Sequence, residues 1–126
     1  MSKKIIHTSK APQAIGPYSQ DVQFGNMLFL SGQIPINPQN GELVIDNIVV
    51  ETHQVMKNIN AVLEAAGYQI EDVVKTTIFL SSMSHFQQVN EVYASYFSSN
   101  FPARETVAVA GLPKGVNVEI SMIACK

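Results

Sequence analysis

The spacing of apolar residues changes period several times along the chain. Residues 22–31, VQFGNMLFLS, read as two strands joined at Gly25-Asn26, a dipeptide suited to a two-residue hairpin. PINPQNGE, residues 35–42, is dense in Pro, Asn and Gly and reads as a loop. From about Ile48 to Ala66 the period becomes helical: Ile48, Val55, Ile59, Val62, Leu63 and Ala66 share one face, and Gly67 supplies a C-terminal stop. VVKTTIFLS, residues 73–81, is β-branched and strand-like. Ser84 with Gln87 three residues later matches a capping box, opening a second helix that carries Phe86, Val89, Tyr93, Tyr96 and Phe97. TVAVAGL and NVEISMIA then read as two closing strands.

The predicted order is β-β-α-β-α-β-β. A helix between the strands at 27–31 and 73–81 suggests a right-handed parallel crossover. The expected fold class is α+β, a two-layer sandwich in which a mixed sheet carries both helices on one face. The other sheet face is left for solvent or for another subunit.

Composition narrows this picture. A chain of 126 residues is most simply one domain, 1–126, with room for a real core. Lys and Arg number 8 against 10 Asp and Glu, a net charge of −2 with no basic tract, so the electrostatic footprint of a nucleic-acid binder is missing. Charged residues make up only 14%, against roughly 25% in ordinary domains. So little charge suggests that some surface is covered by copies of the same chain. No apolar run is long enough to span a membrane, and MSKKIIHTSK does not read as a secretory signal, so a cytoplasmic protein is expected. Cys125 is the only cysteine, which excludes an intrachain disulfide and a thiolate metal cluster.

Candidate chemistry centres on FPARE, residues 101–105. Pro102 pushes Ala103 towards an extended backbone, which places Arg104 at a strand entrance. Alternation sends Arg104, Thr106, Ala108 and Ala110 to one face and Glu105, Val107 and Val109 to the other. Small neighbours leave room beside the Arg104 guanidinium, which is shaped to grip a small carboxylate through two parallel hydrogen bonds. On spacing alone, an exposed strand-end arginine is the commoner case. Glu119 is the only charge in VNVEISMIAC. It is either a solvent-facing strand residue or, in a poorly hydrated pocket, a general acid or base with a raised pKa. Tyr18 and Ser31 offer hydroxyls beside glycines, and Gly32 could bring a bare backbone N–H to a ligand, although turn chemistry also explains these segments. His7, His53 and His85 have no metal-ligand spacing, with His53 expected on the solvated side of its helix. The chain has no GxSxG elbow, P-loop or GxGxxG. Cys125, at the penultimate position and with no base beside it, reads as structural.

AIGPYSQ (14–20), SGQIP (31–35), NEVYASYF (90–97), FPARE (101–105) and LPKGVNVEI (112–120), in this order, resemble the Rid family, specifically the RidA (YjgF-like) type. The resemblance runs essentially end to end. It implies a chorismate-mutase-like fold assembled as a homotrimer, with the sheets forming a central barrel and ligand clefts between neighbouring subunits. It also implies hydrolysis of 2-imino acids, such as 2-iminobutanoate and 2-iminopropanoate, to 2-oxo acids and ammonia, without metal or organic cofactor. Those imines derive from enamines released by pyridoxal-phosphate-dependent dehydratases acting on threonine and serine.

By position, Arg104 matches the family arginine that binds the substrate carboxylate, and Glu119 the glutamate that handles the attacking water. Tyr18 and Ser31 match the pocket hydroxyls, with Tyr18 orienting the water or the imine nitrogen. Gly32 matches the backbone contact and Asn90 a polar residue after the second strand–helix turn. The family pattern often reads Arg-Ser-Cys where this chain has Arg104-Glu105-Thr106. Thr106, expected to face the pocket with Arg104, therefore brings a hydroxyl in place of a thiol. Glu105 is expected to face away. The alternative function is a non-catalytic sensor or regulatory protein, linked to purine regulation or chaperone-like behaviour, with a protein partner. RNA cleavage, also claimed within the family, is disfavoured by the net charge of −2.

Overall fold

The computed structural model describes residues 2–126. Six strands form one sheet: β1 (Lys4–Ile6), β2 (Asp21–Phe24), β3 (Met27–Gln33), β4 (Val73–Leu80), β5 (Ala103–Ala108) and β6 (Val118–Cys125). Two helices, α1 (Ile48–Ala65) and α2 (Phe86–Ala94), complete an α+β fold. The strand order is β1-β2-β3-β6-β4-β5. Only β4 and β5 pair in parallel, so the sheet is mixed.

The hairpin forms at Gly25-Asn26, where Phe24 pairs with Met27 and Gly25 takes φ +63°. A short N-terminal strand, β1, adds an edge that the apolar pattern does not announce, because Lys4, Ile5 and Ile6 show no alternation. The strands either side of α1, β3 and β4, are not neighbours. Strand β6 lies between them and pairs antiparallel with both. Both being antiparallel to β6, β3 and β4 run parallel, so α1 is a parallel crossover that skips one strand. The adjacent parallel unit is β4-α2-β5, and β5 starts earlier and ends earlier than the TVAVAGL segment suggests.

Helix α1 starts where Asn47 Oδ1 accepts from the Val50 N–H and stops at Ala66. Gly67, at φ +79°, donates to Glu64 O while Tyr68 donates to Leu63 O, a pair of bonds that closes the helix as a Schellman motif. Val55, Ile59, Val62 and Leu63 are buried against Leu28, Leu30, Ile120 and Met122 of the sheet. Each such aliphatic side chain contributes about 1.5–3 kcal/mol by leaving water. Ile48 and Ala66, at the helix ends, are only partly buried.

The second helix begins differently from its expected form. Ser82, not Ser84, caps a single 3-10 turn over 83–85 that leads into α2, and the Ser84–Gln87 box does not form. Ser84 Oγ instead lies 2.9 Å from Ser82 Oγ. Tyr96 and Phe97 fall past the helical end but still pack on the core. His53 is half-buried rather than solvated. Its Nδ1 lies 2.7 Å from the Tyr96 hydroxyl, because α2 and its C-terminal extension cover that side of α1. Among the described residues, no helix is long and apolar enough to cross a membrane, and no group of His, Cys, Asp or Glu is placed to hold a metal ion.

Candidate functional site

Pairing register decides which sheet face each candidate residue occupies. On β6, Val118, Ile120, Met122 and Ala124 are buried beneath the helices, so Glu119 between them points to the opposite, open face. On β5, Arg104 stands opposite Thr76 of β4. Thr76 is buried and accepts a hydrogen bond from the Tyr93 hydroxyl of α2 at 2.9 Å, which marks this as the helix side. Arg104 and Glu119 therefore occupy opposite faces of one sheet.

On the helix side, Arg104 Nη1 donates to Asn90 Oδ1 at 2.6 Å. Its guanidinium carbon lies 5.3 Å from the centre of the Tyr93 ring and 5.8 Å from that of Phe86, within cation–π range. Arg104, Asn90, Tyr93, Ala94, Phe101 and Pro102 line a hollow of about 440 Å³. Among the described residues Asn90 is the one side chain that hydrogen-bonds the guanidinium, so most of its fork is left for a ligand. Burial pushes the Tyr93 phenol above its usual pKa, which keeps it a neutral donor to Thr76. Thr106 shares the face of Arg104 but does not line this hollow: its Oγ1 is buried, without a hydrogen-bond partner among the described residues.

Glu105, next in sequence to Arg104, is turned to the open face. Its carboxylate accepts from Lys75 Nζ and from Thr77 Oγ1, each at 2.6 Å. The Lys75 bond and then the Thr77 bond hold its pKa below the ordinary carboxylate value. The charged pair at this strand start is thus one cation and one anion with separate partners on separate faces.

The open face carries the second hollow, about 550 Å³, lined by Ile15, Tyr18, Ser31, Gly32, Lys114 and Glu119 among others. Burial raises the Glu119 pKa above its usual value. Strand β3 makes room for this carboxylate by a β-bulge. Leu30 pairs with Met122 and Gln33 with Ile120, so Ser31 and Gly32 together oppose Ser121. Strict alternation would have turned Gly32 towards the helices; the extra residue keeps it beside Glu119. A Cβ on Gly32 would lie 2.5 Å from Glu119 Oε2 and 2.8 Å from its Cδ. Glycine is needed here for space, since the backbone lies outside the left-handed region.

The wall opposite Glu119 comes from the loop before β2. Ser31 Oγ donates to Ser19 O at 2.6 Å, and Ser31 N to Gln20 O at 2.9 Å. Gln20 is buried and ties the preceding segment down: its Oε1 accepts from Thr8 N, while its Nε2 donates to Thr8 O and Pro12 O. Gly16, at φ +122°, turns the chain so that Tyr18 sits exposed at the mouth of the hollow.

The structure thus gathers Tyr18, Ser31, Gly32 and Glu119 in one place and Arg104 with Asn90 in another. Spacing alone did not single out Gln20, Lys114 or the bulge. An isolated glycine inside LSGQ is a signal for the bulge, whereas nothing local marks Gln20 or Lys114, whose roles depend on contacts distant in sequence.

Comparisons with known proteins agree with this architecture. Residues 8–126 match the family model described as Endoribonuclease L-PSP. A mouse protein named 2-iminobutanoate/2-iminopropanoate deaminase is 48% identical over 122 residues, 97% of this chain and 90% of that one. The Yersinia pestis Rid-family protein YyfA, a protein of unknown function, superposes with a TM-score of 0.97 at 52% identity, covering 99% of this chain and 100% of the other. The structure of Escherichia coli TdcF with bound serine matches with a TM-score of 0.94 at 42% identity over 98% of each chain. Motif order, fold and full-length similarity lead to one statement: the chain belongs to the Rid (YjgF/RidA) family, whose family model is described as Endoribonuclease L-PSP.

Proposed function

We propose that the protein is a cofactor-independent deaminase that hydrolyses 2-imino acids, such as 2-iminobutanoate and 2-iminopropanoate, to 2-oxo acids and ammonia. The observation that carries this reading is the division of one set of reagents between two sheet faces. Arg104 offers a guanidinium fork with no base beside it, and Glu119 offers a base with raised pKa in a hollow without an arginine. One chain cannot bring both to a molecule of four or five heavy-atom lengths, because the sheet lies between them. A second copy can, and we place the complete site between protomers of a homotrimer. Phe29 and Val107, exposed on the open face at 42% and 44%, supply apolar surface for that contact.

In this site Arg104 of one protomer fixes the substrate carboxylate and sets the imine carbon against a bound water, which is catalysis by positioning. Glu119 of the next accepts a proton from that water as the C–O bond forms to the protonated imine, whose nitrogen keeps its two protons and becomes the amine of a carbinolamine. It then returns that proton to the nitrogen. As the C–N bond breaks and ammonia leaves, the hydroxyl proton passes to the Glu119 carboxylate and the 2-oxo acid remains. Tyr18, at the mouth of the hollow, orients the water or the nitrogen; Ser31, Gly32 and Asn90 complete the polar lining.

The relative named as a 2-iminobutanoate/2-iminopropanoate deaminase supports this reaction class. A second reading, a binding protein for small amino or oxo acids, is favoured by the relative solved with serine bound. One assay separates them. With a threonine or serine dehydratase generating the imine, substoichiometric protein should speed release of the 2-oxo acid. An unchanged release rate, with the 2-oxo acid or serine still bound, would replace the enzyme by the binding protein.

A further inference from the structure

A fully buried carboxylate lies far in sequence from the proposed catalytic residues and close to the segment that presents them. Glu51, in the first turn of α1, is 0% exposed. Its Oε2 accepts from the Asn117 backbone N–H at 2.6 Å, and its Oε1 from Asn117 Nδ2 at 3.0 Å. Ser81, at the end of β4, takes the other half of Asn117: Ser81 N donates to Asn117 O at 3.0 Å, and Ser81 Oγ to Asn117 Oδ1 at 2.8 Å. Every polar atom of Asn117 is thereby engaged. Asn117 stands two residues before Glu119 and closes the β5–β6 connection, residues 109–117.

That connection needs holding. Lys114 adopts φ +56°, ψ 19°, a left-handed conformation that a lysine keeps only where its surroundings impose it. The turn around it is closed by two longer bonds, Gly115 N to Leu112 O at 3.1 Å and Val116 N to Pro113 O at 3.3 Å. Pro113 and Lys114 line the same hollow as Glu119. We infer that Glu51 is a positioning residue for this site: it holds Asn117, and through it the β5–β6 connection, so that Pro113, Lys114 and Glu119 form one wall of the hollow. Only the kinetic consequences of this role rest on the deaminase reading.

The hydrogen-bond pattern makes the role specific to a double acceptor. With Ser81 donating to Asn117 Oδ1, the amide cannot turn over without losing that bond, so Nδ2 must face Glu51. Glu51→Gln would set an NH₂ against an NH₂. Asn117→Asp would set a carboxylate oxygen against a carboxylate oxygen. The double exchange, Glu51→Gln with Asn117→Asp, restores one donor to one acceptor and keeps the backbone bond.

These three variants and the unaltered chain should be compared by imine-hydrolysis kinetics, thermal midpoint and the titration of the Glu119 carboxyl followed by 13C NMR. Each single variant is expected to lower kcat by about tenfold or more, a part of the roughly hundred- to ten-thousandfold that a positioned proton-transfer group supplies. KM changes less. Glu119 titrates closer to the ordinary carboxylate range as the wall loosens and water enters. The double variant should recover both kcat and the titration. A folded single variant with unaltered kcat and unaltered Glu119 titration, whatever its thermal midpoint, would overturn the inference. So would a double variant as impaired as the worse single one, and this arm still decides if Glu51→Gln alone fails to fold. If the unaltered chain does not hydrolyse imines at all, the deaminase reading falls, while the titration arm still tests the positioning role.

Discussion

The hollow around Arg104 and the hollow around Glu119 share one sheet but are built by opposite means. The first rests on a helix: α2 presents Asn90, Tyr93 and Phe86 to the guanidinium, giving it an aromatic bed and one hydrogen bond. The second rests on an irregular strand and two loops, with a bulge at Ser31-Gly32 opening space for a carboxylate. Binding an anion calls for a cation at fixed distance on a stiff support, which a helix provides. Activating water calls for a half-dry carboxylate, which a sheet provides only where its regular packing is interrupted. Under the proposed deaminase function, the difference gives anchoring to one region and proton transfer to the other.

The largest effect should come from the acidic side. Glu119→Gln keeps the shape and removes the base, so turnover should fall by about a hundred- to ten-thousandfold while a 2-oxo acid still binds. In the unaltered chain the same carboxyl should set the acid limb of the kcat profile. Because burial raises its pKa, the base form is lost as pH falls at a higher pH than an ordinary carboxylate would show. Normal turnover by Glu119→Gln in a steady-state assay would remove this residue from the reaction.

On the cationic side, Arg104→Ala removes a charge-assisted contact of about 1.5–3 kcal/mol, or roughly ten- to 150-fold in kcat/KM. Arg104→Lys should recover little, since an ammonium lacks the planar fork. Mixed assemblies then test whether the two hollows belong to different copies. Combining Arg104→Ala and Glu119→Gln chains by co-refolding should return activity to about a quarter of normal, because random closed assembly unites an intact arginine with an intact glutamate in that share of sites. No recovery, with mixing verified by mass spectrometry, would break the two-copy arrangement.

A smaller effect probes the bulge. Gly32→Ala places a methyl 2.5 Å from Glu119 Oε2, so the carboxylate must swing aside while the fold survives, the clash being with the end of a flexible side chain. About a tenfold loss in kcat is expected, less than the roughly hundredfold that an ångström of misplacement can cost. Unchanged kcat would show that the position of Glu119 is not critical.

Asp21 supplies the contrast with least bearing on activity. Like Glu119 it has a pKa raised by burial, to about 6 from 3.8, but it is 1% exposed and, among the described residues, both oxygens lack hydrogen-bond partners. It faces Leu30 across β2–β3 and Ile6 across β1–β2, inside the core. The folded chain holds this proton to higher pH than the unfolded chain does. The associated stability is therefore full below about pH 4 and lost as pH rises through about 6, a total of about 3 kcal/mol. Asp21→Asn should flatten that dependence in thermal melts between pH 4 and 8 and leave imine hydrolysis unchanged. A wild-type pH slope retained in the variant would assign the dependence to other groups.

Much of the fold was legible along the chain. Apolar period marked α1, the β2–β3 hairpin and β4, because burying one face against a partner layer imposes that period whatever the partner is. Arg104 and Glu119 stood out as charges in apolar strands, and alternation alone put Glu105 on the face away from Arg104. Family resemblance, carried by ordered short motifs, supplied the roles. Less legible were β1, too short for a pattern, and the start of α2, where Ser82 and Ser84 are equally good caps and only the backbone path selects Ser82. The insertion of β6 between β3 and β4 depends on pairing between residues far apart in sequence, which local spacing does not encode.

By itself, then, the sequence determined the two layers, both helices and most of the strands, since these follow from local period, while the expected roles of Arg104 and Glu119 came from the family resemblance. Tertiary structure alone decided that the guanidinium and the carboxylate stand on opposite faces, that a bulge clears space for Glu119, and that Glu51 reaches Asn117. Each of those depends on strand order and register, which are settled by the packing of the whole chain and not by any one segment.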